Sequence, residues 1–396
     1  MTDGCAIGDR LKAARRDRGL TQEGLAEKAG LSKDLIAKLE QGRRNSCRIT
    51  SLMRLSNALD IDLSELAGKR ERLRGERDGG SVLAIRDAIL SPSLMNGLAG
   101  LDDGDAEEPT ALPELERAIS RAWTDYWGGD FGALVAAVPG LIAEARLSQR
   151  SVGAEAAGPL AQCFQLAACL LLHFGKTDLA AISAERGINA AAQGDDQWQW
   201  ASVVSTFAWV LMYQGRLSES ESLAVDVAAR IEPSFSAPVP HVATWGNLLI
   251  SAIDTAAIAG KDVSGYVSLA SAGAERIGRV VTAYRTTFGS SKVAANAVHA
   301  FTMHKRPGEA LKAARKVRTE ELPRIAYGHH LLDLAQAYTD MRHFSSAEQR
   351  LDLARSLSPV WFRHQLAAHS IVADVREQQT RPSATIRRLA RDIGLE

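Results

Sequence analysis

Apolar residues recur three and four positions apart along almost the whole chain, and strand-like alternation is scarce, so the sequence predicts an all-α protein. The first helix runs from Ile7 to Arg18 and stops at Gly19. Thr21 caps a second that closes at Ala29, before Gly30. Ser32 caps a third, Lys33 to Gln41, which ends at Gly42. A fourth is expected over Thr50 to Leu59, and a short fifth after Asp62, ending at Gly68. Leu11, Leu20, Leu25, Ala26, Leu31, Ile36, Leu39, Leu52, Leu55, Leu59 and Leu66 fall on inward faces and suit one small core. Residues 1–68 therefore read as one domain and residues 69–114 as a partly flexible connector. The connector holds a charge run (Lys69 to Arg77), a short helix (Val82 to Leu90) and an acidic stretch rich in Gly and Pro (Gly97 to Pro113). Residues 115–396 read as a long series of helices.

Within that series one register is clear. Leu331, Leu334, Ala335, Tyr338, Phe344, Ala347, Leu351, Ala354 and Pro359 follow the tetratricopeptide pattern. Ala335 and Ala347 sit where two helices of a hairpin cross, and only small side chains permit that approach. Weaker copies surround the turns at Gly175 and Gly215, and further turns are marked by Gly128-Gly129, Gly260 and Arg306-Pro307. The expected hairpins are 115–146, 155–192, 197–231, 239–277, 281–318 and 323–357, with a capping hairpin at 361–394. No such hairpin buries its apolar face alone, so stacking into a right-handed α-solenoid with a concave groove is expected. The first helix of each hairpin would line it, offering Gln165, Trp200, Trp209, Asn247, Asp254, Tyr284, Asn296, Tyr327 and His330 as candidate ligand-binding residues. Trp209 and Tyr284 suit a packed core better than a pocket, and Asn247 and Asn296 suit a water-facing position as well as a ligand contact.

Charge separates the two parts. The chain is formally neutral, with 47 Lys+Arg against 47 Asp+Glu. Residues 1–77 nevertheless hold 17 basic and 12 acidic side chains, leaving 30 and 35 for the remainder. A basic N-terminal end on an acidic body points to a polyanion as that end's partner.

The run Ile7-Gly8-Asp9-Arg10-Leu11, Gly19-Leu20-Thr21-Gln22, Leu25-Ala26, Ala29-Gly30-Leu31-Ser32, Ile36 and Leu39-Glu40-Gln41-Gly42-Arg43 resembles the repressor-type helix-turn-helix of phage repressors and their bacterial relatives, the XRE family. The resemblance implies that Ser32 to Gln41 is a recognition helix entering the major groove of double-stranded operator DNA. Lys33, Asp34, Ala37 and Lys38 would then face bases, the lysines toward guanine and the acid toward cytosine. Gln22 would brace that helix and touch a phosphate, and Arg43, Arg44 and Asn45 would hold phosphates. Arg15 and Glu40 match a buried ion pair of the family. Members dimerise on two-fold operators, which implies a homodimer whose contact lies in the rest of the chain.

A domain of this kind ahead of tetratricopeptide-like hairpins is similar to the quorum-sensing regulators of the Rgg, NprR, PlcR and PrgX group and to actinobacterial relatives. That likeness implies a receptor whose DNA affinity responds to a signalling peptide or small molecule. The connector departs from the tight linker helix of the peptide-sensing members. A DNA-bound scaffold that recruits a partner protein, and an autorepressing partner of a neighbouring toxin or enzyme, are the competing readings.

Enzyme chemistry is not expected. Gly175-Lys176-Thr177 resembles the end of a phosphate loop, but Leu170 stands where that loop needs glycine. The chain has no HExxH and no GxSxG, and His329 and His330 lie on different faces of their helix, so neither a metal nor a cofactor is expected. Cys5, Cys47, Cys163 and Cys169 form no CxxC pair and read as reduced thiols. With no basic-then-apolar leader and no apolar run long enough to span a bilayer, a cytoplasmic location without membrane contact is expected.

Overall fold

The structure is a computed structural model that describes residues 7–44, 47–61, 66, 82–91 and 109–395. Helices α1 (Ile7–Asp17), α2 (Gln22–Ala29), α3 (Lys33–Glu40) and α4 (Ile49–Leu59) enclose an apolar cluster that includes Leu11, Leu25, Ile36, Leu39, Leu55, Leu59 and Leu66. The expected caps are present. Thr21 accepts from the Gly24 amide, Ser32 accepts from the Leu35 amide, and Gly30 adopts the left-handed conformation (φ 61°) that turns α2 into α3. Gly8 lets α1 cross α3, since a Cβ there would lie 1.9 Å from the Leu39 carbonyl oxygen. The rest of the expected fifth helix and most of the connector lie outside the described residues, apart from helix α5 (Val82–Ile89), which packs on the following helices.

The remainder is a succession of antiparallel hairpins: α6 (Leu112–Gly128) with α7 (Phe131–Val152), α8 (Ala157–His173) with α9 (Thr177–Ala191), and α10 (Gln197–Tyr213) with α11 (Leu217–Arg230). Helices α12 (Val239–Ala259) and α13 (Ser264–Ile277), α14 (Ser290–Met303) and α15 (Pro307–Ala314), and α16 (Arg324–Asp340) and α17 (Phe344–Leu357) continue it. A short α18 (Pro359–His364) and the pair α19 (Leu366–Gln378) and α20 (Ala384–Asp392) end the chain. Ala335 and Ala347 are fully buried where α16 and α17 cross.

Two features differ from the sequence expectation. The fifth hairpin opens not with helix but with an antiparallel β-hairpin, β1 (Val281–Ala283) and β2 (Thr286–Phe288), paired in the register Ala283 to Thr286. Its two tip residues, Tyr284 and Arg285, both hold positive φ (46° and 68°). That two-residue turn normally selects Asn-Gly, and non-glycine residues there cost about 1–3 kcal/mol each. The tip is held in place by three bonds. Ser202 Oγ donates to the Tyr284 carbonyl at 2.7 Å, and Arg285 donates to Gln162 (2.7 Å) and Ser120 (3.1 Å). Phe288 seats on Gly246 of α12, where any Cβ would collide with its ring.

The second difference is closure. Helix α6 packs against α16, and Ser358 Oγ donates to the Gly129 carbonyl at 2.7 Å, so the last tetratricopeptide-like hairpin meets the first. A centrally placed His173 joins both ends, bonding Tyr126 Oη at 3.1 Å and Gln365 at 3.2 Å. The expected open groove is thereby curled around an interior cavity. The two most apolar helical stretches, Phe131–His173 and Val239–Ala259, contribute to this interior packing.

Candidate functional site

The first candidate site is the exposed side of α3. Ser32, Lys33, Asp34 and Lys38 are exposed, and Ala37 is partly so, while Ile36, Leu39 and Glu40 are buried behind them. Lys33 pairs with Glu23 at 3.1 Å and Lys38 with Asp34 at 2.7 Å. Exposed pairs of this kind are worth at most about 1 kcal/mol, so both ammonium groups can exchange partners for bases. Behind α3, Arg15 grips Glu40 with two bonds (2.6 and 2.8 Å), and Gln22 donates to the same carboxylate at 2.8 Å. Burial opposes the charged form of Glu40, but the hydrogen bonds from Arg15 and Gln22 outweigh it and hold the carboxyl below its ordinary range. The orientation of α3 therefore depends on α1 and α2 together.

Arg43 is exposed just beyond α3, and Asn45 lies outside the described residues. Arg44, expected on a phosphate, instead pairs with Asp374 of α19 at 3.3 Å. It belongs to a contact that the sequence did not suggest, in which α4 and the segment before it dock onto the helical hairpins. Arg48 pairs with Asp340 at the end of α16, and Ser370 Oγ donates to the Cys47 carbonyl at 2.7 Å. Arg54 donates twice to the Ile258 carbonyl (3.0 and 3.2 Å), capping the end of α12. Met212, Ile258, Met303 and Leu366 join the apolar cluster of the N-terminal unit. The Arg48–Asp340 pair is incompletely satisfied, because Arg48 Nη1 and Asp340 Oδ2 are buried without partners. Burial also pushes the Asp340 carboxyl up, although Arg48 and Gln336 oppose this.

The second candidate site is the cavity of about 270 Å³ inside the ring of hairpins. The first helices of the hairpins line it, as expected, and Met53 of α4 borders it from the N-terminal unit. Of the nine candidates, Gln165, Trp209, Asn247, Asp254, Asn296 and His330 are brought together there. Trp200, Tyr284 and Tyr327 are not. Trp200 and Tyr327 pack into the apolar core between hairpins, and Tyr284 sits at the strained β-turn. His329 and His330 both border the cavity despite their different faces, yet no cluster of three metal-ligating side chains exists among the described residues.

One wall is polar. Asn296 donates to Asp254 at 2.6 Å, Asn247 donates to Ser205 at 2.9 Å, and His299 Nδ1 lies 2.8 Å from Asp333. Burial alone would lower His299, but Asp333 overrides it and raises the imidazole to about 9. His329, desolvated and near Lys292, is instead lowered to about 4. Trp123, Tyr126, Trp127, Trp209 and Tyr213 also line the cavity. Sequence reasoning missed Lys292, His299, Asp333, Trp123, Trp127 and Met53. The spacing of Lys292, Asn296, His299 and Met303 (i, i+4, i+7, i+11) marks one helix face and would have found two of them, Lys292 and His299. Met53 was not findable, since its role depends on docking.

A helix-turn-helix domain model matches residues 6–67. The immunity repressor protein of Bacillus phage phi105 is 38% identical over 71 residues, which cover 18% of this chain and 49% of the repressor, so the chain spans about half the length of that relative. The HTH-type transcriptional regulator SinR of Bacillus licheniformis is 30% identical over 87 residues, 22% of this chain and 78% of SinR. An uncharacterized HTH-type transcriptional regulator of Sinorhizobium fredii is 40% identical over 60 residues, 15% of this chain and 77% of that protein. Among solved structures, that of Bacillus thuringiensis PlcR with the peptide PapR7 and DNA covers 69% of this chain and 95% of PlcR, at 14% identity and a TM-score of 0.30. That score is too low to establish a common arrangement of helices. The N-terminal resemblance is specific and spans about half of the phage repressor and more than three quarters of SinR: through this domain the chain belongs to the helix-turn-helix transcriptional regulators of the XRE type.

Proposed function

We propose that this protein is a cytoplasmic, sequence-specific regulator of transcription that binds a two-fold operator as a homodimer, and that a signal held in its helical ring modulates operator affinity. Residues 1–68 form the DNA-binding domain, 69–114 the connector, and 115–396 the sensor and dimerisation domain. Lys33, Asp34, Ala37 and Lys38 read bases; Gln22, Ser32, Arg43, Arg44 and Asn45 meet the backbone.

One observation carries the regulatory part. Met53 of α4 borders the cavity while α3, packed against the same small core, presents its other side to solvent. A ligand that alters the packing around Met53 acts on the element that ties the DNA-binding domain to the ring. The contact between them suits release, because its buried ion pair is only partly satisfied and such pairs return little beyond their desolvation cost. Arg44 links the two states, since Asp374 and a phosphate compete for its guanidinium. The mixed polar and aromatic lining favours a ligand site over a purely structural scaffold.

The test is operator binding by the full chain, on DNA selected by the protein from a random pool. Met53→Trp, which intrudes on the cavity, should change the operator Kd at least about tenfold, a coupling of roughly 1.4 kcal/mol. Met53→Leu should stay near wild type. Equal affinity for all three, with unchanged melting, would refute coupling through α4.

A further inference from the structure

Among the charged side chains that line the cavity, Lys292 differs from the rest. Asp254 accepts from Asn296, Asp333 is engaged by His299, and Arg285 is bonded to Gln162 and Ser120. Lys292 makes no hydrogen bond or ion pair among the described residues, although it borders the cavity. Burial lowers its basicity, and the attraction of Asp254 and Asp333 does not make up the difference. Lys292 is half-buried, and its ammonium meets no protein partner; a charge held partly out of water gains from a counter-ion.

Its position adds direction. Lys292 lies in the first turn of α14, directly after the β-hairpin that brings Arg285, Thr286 and Thr287 to the same cavity. The positive end of the α14 dipole lies there too. Met303, at the other end of the same helix, packs with Met53 and Ile258. The cavity thus holds Lys292 and Arg285 beneath the hairpin, with Asp254 and Asp333 near the Lys292 ammonium, and Met53 and Met303 beneath α4, and Trp123, Trp127 and Trp209 also line it.

We propose that the cavity takes a small amphiphile with a carboxylate head, which seats on Lys292 and lays its apolar or aromatic body along the tryptophans toward Met53. This rests on the ligand-site reading above and narrows it. The cavity of about 270 Å³ falls just below the usual range for drug-sized ligands, so it suits a small molecule. The ligand's charge supplies the partner that Lys292 lacks, and its tail meets the helix that docks the DNA-binding domain.

The probes are 4-phenylbutyrate and its neutral amide, 4-phenylbutyramide, titrated calorimetrically into the full chain. The carboxylate should bind at least about tenfold tighter than the amide. Lys292→Met should abolish that preference while the amide still binds. Lys292→Arg should retain part of the preference. Equal binding of the two probes, a preference surviving Lys292→Met, or no saturable binding of either would overturn the proposal. Operator binding separates the two ideas. If the carboxylate binds through Lys292 without moving operator affinity, the ligand class stands and the regulatory reading fails. If carboxylate and amide bind equally and both shift operator affinity, regulation stands and the carboxylate assignment fails.

Discussion

Arg15, Gln22 and Glu40 show how single residues set the pose of the reading helix. The carboxylate of Glu40 is nearly inaccessible and receives three bonds from two other helices. Removing one partner leaves a buried charge, so Arg15→Met should cost the N-terminal domain about 3 kcal/mol, measured by urea unfolding. Because the Glu40 carboxyl is held below its ordinary range, its contribution is present in full above the unfolded value near 4.5. It is lost as pH falls through the lower folded value, and Arg15→Met should flatten that acid limb. On the outer side, Lys33→Ala should relax base choice while leaving random-DNA affinity almost unchanged. Arg43→Ala should weaken all sequences alike and reduce the salt slope by about one. Equal effects of the two substitutions on specific and random DNA would reverse the assignment of α3.

At the scale of elements, legibility in the sequence followed how local each cause is. Caps at Thr21 and Ser32, the turn at Gly30 and the paired helices of each hairpin were readable, because each depends on residues a few positions apart. The β-hairpin was not. Its turn uses Tyr284 and Arg285 in a conformation that favours Asn-Gly, and is held there by Ser202, Gln162 and Ser120 from distant helices. Six of nine cavity candidates met because they lie on first helices of stacked hairpins; Trp200 and Tyr327 failed because apolar packing between hairpins claimed them. Arg44 shows the same limit. Its sequence neighbourhood points to phosphate, and only the folded chain brings Asp374 to it. Asp374→Ala, which removes one partner of Arg44, should therefore tighten operator binding and steepen its salt slope. Weaker binding would instead assign Asp374 a structural role.

At the scale of the molecule, closure and docking act together. The ring closes through Gly129, Ser358 and His173, which turns a groove into a cavity. The N-terminal domain then seats on the ring through Arg44, Arg48, Arg54 and Met53, leaving α3 outward. Under the proposed function this seated geometry is one of two states between which operator and cavity ligand choose. Spin labels at Glu27→Cys on α2 and Lys261→Cys after α12, in a background with the native cysteines replaced, report it directly by pulsed dipolar distances; both positions are exposed and neither is assigned to DNA. One narrow distance distribution is expected for the free protein and a displaced one with operator bound. A broad distribution without DNA, or a narrow one that operator leaves unmoved, would contradict it.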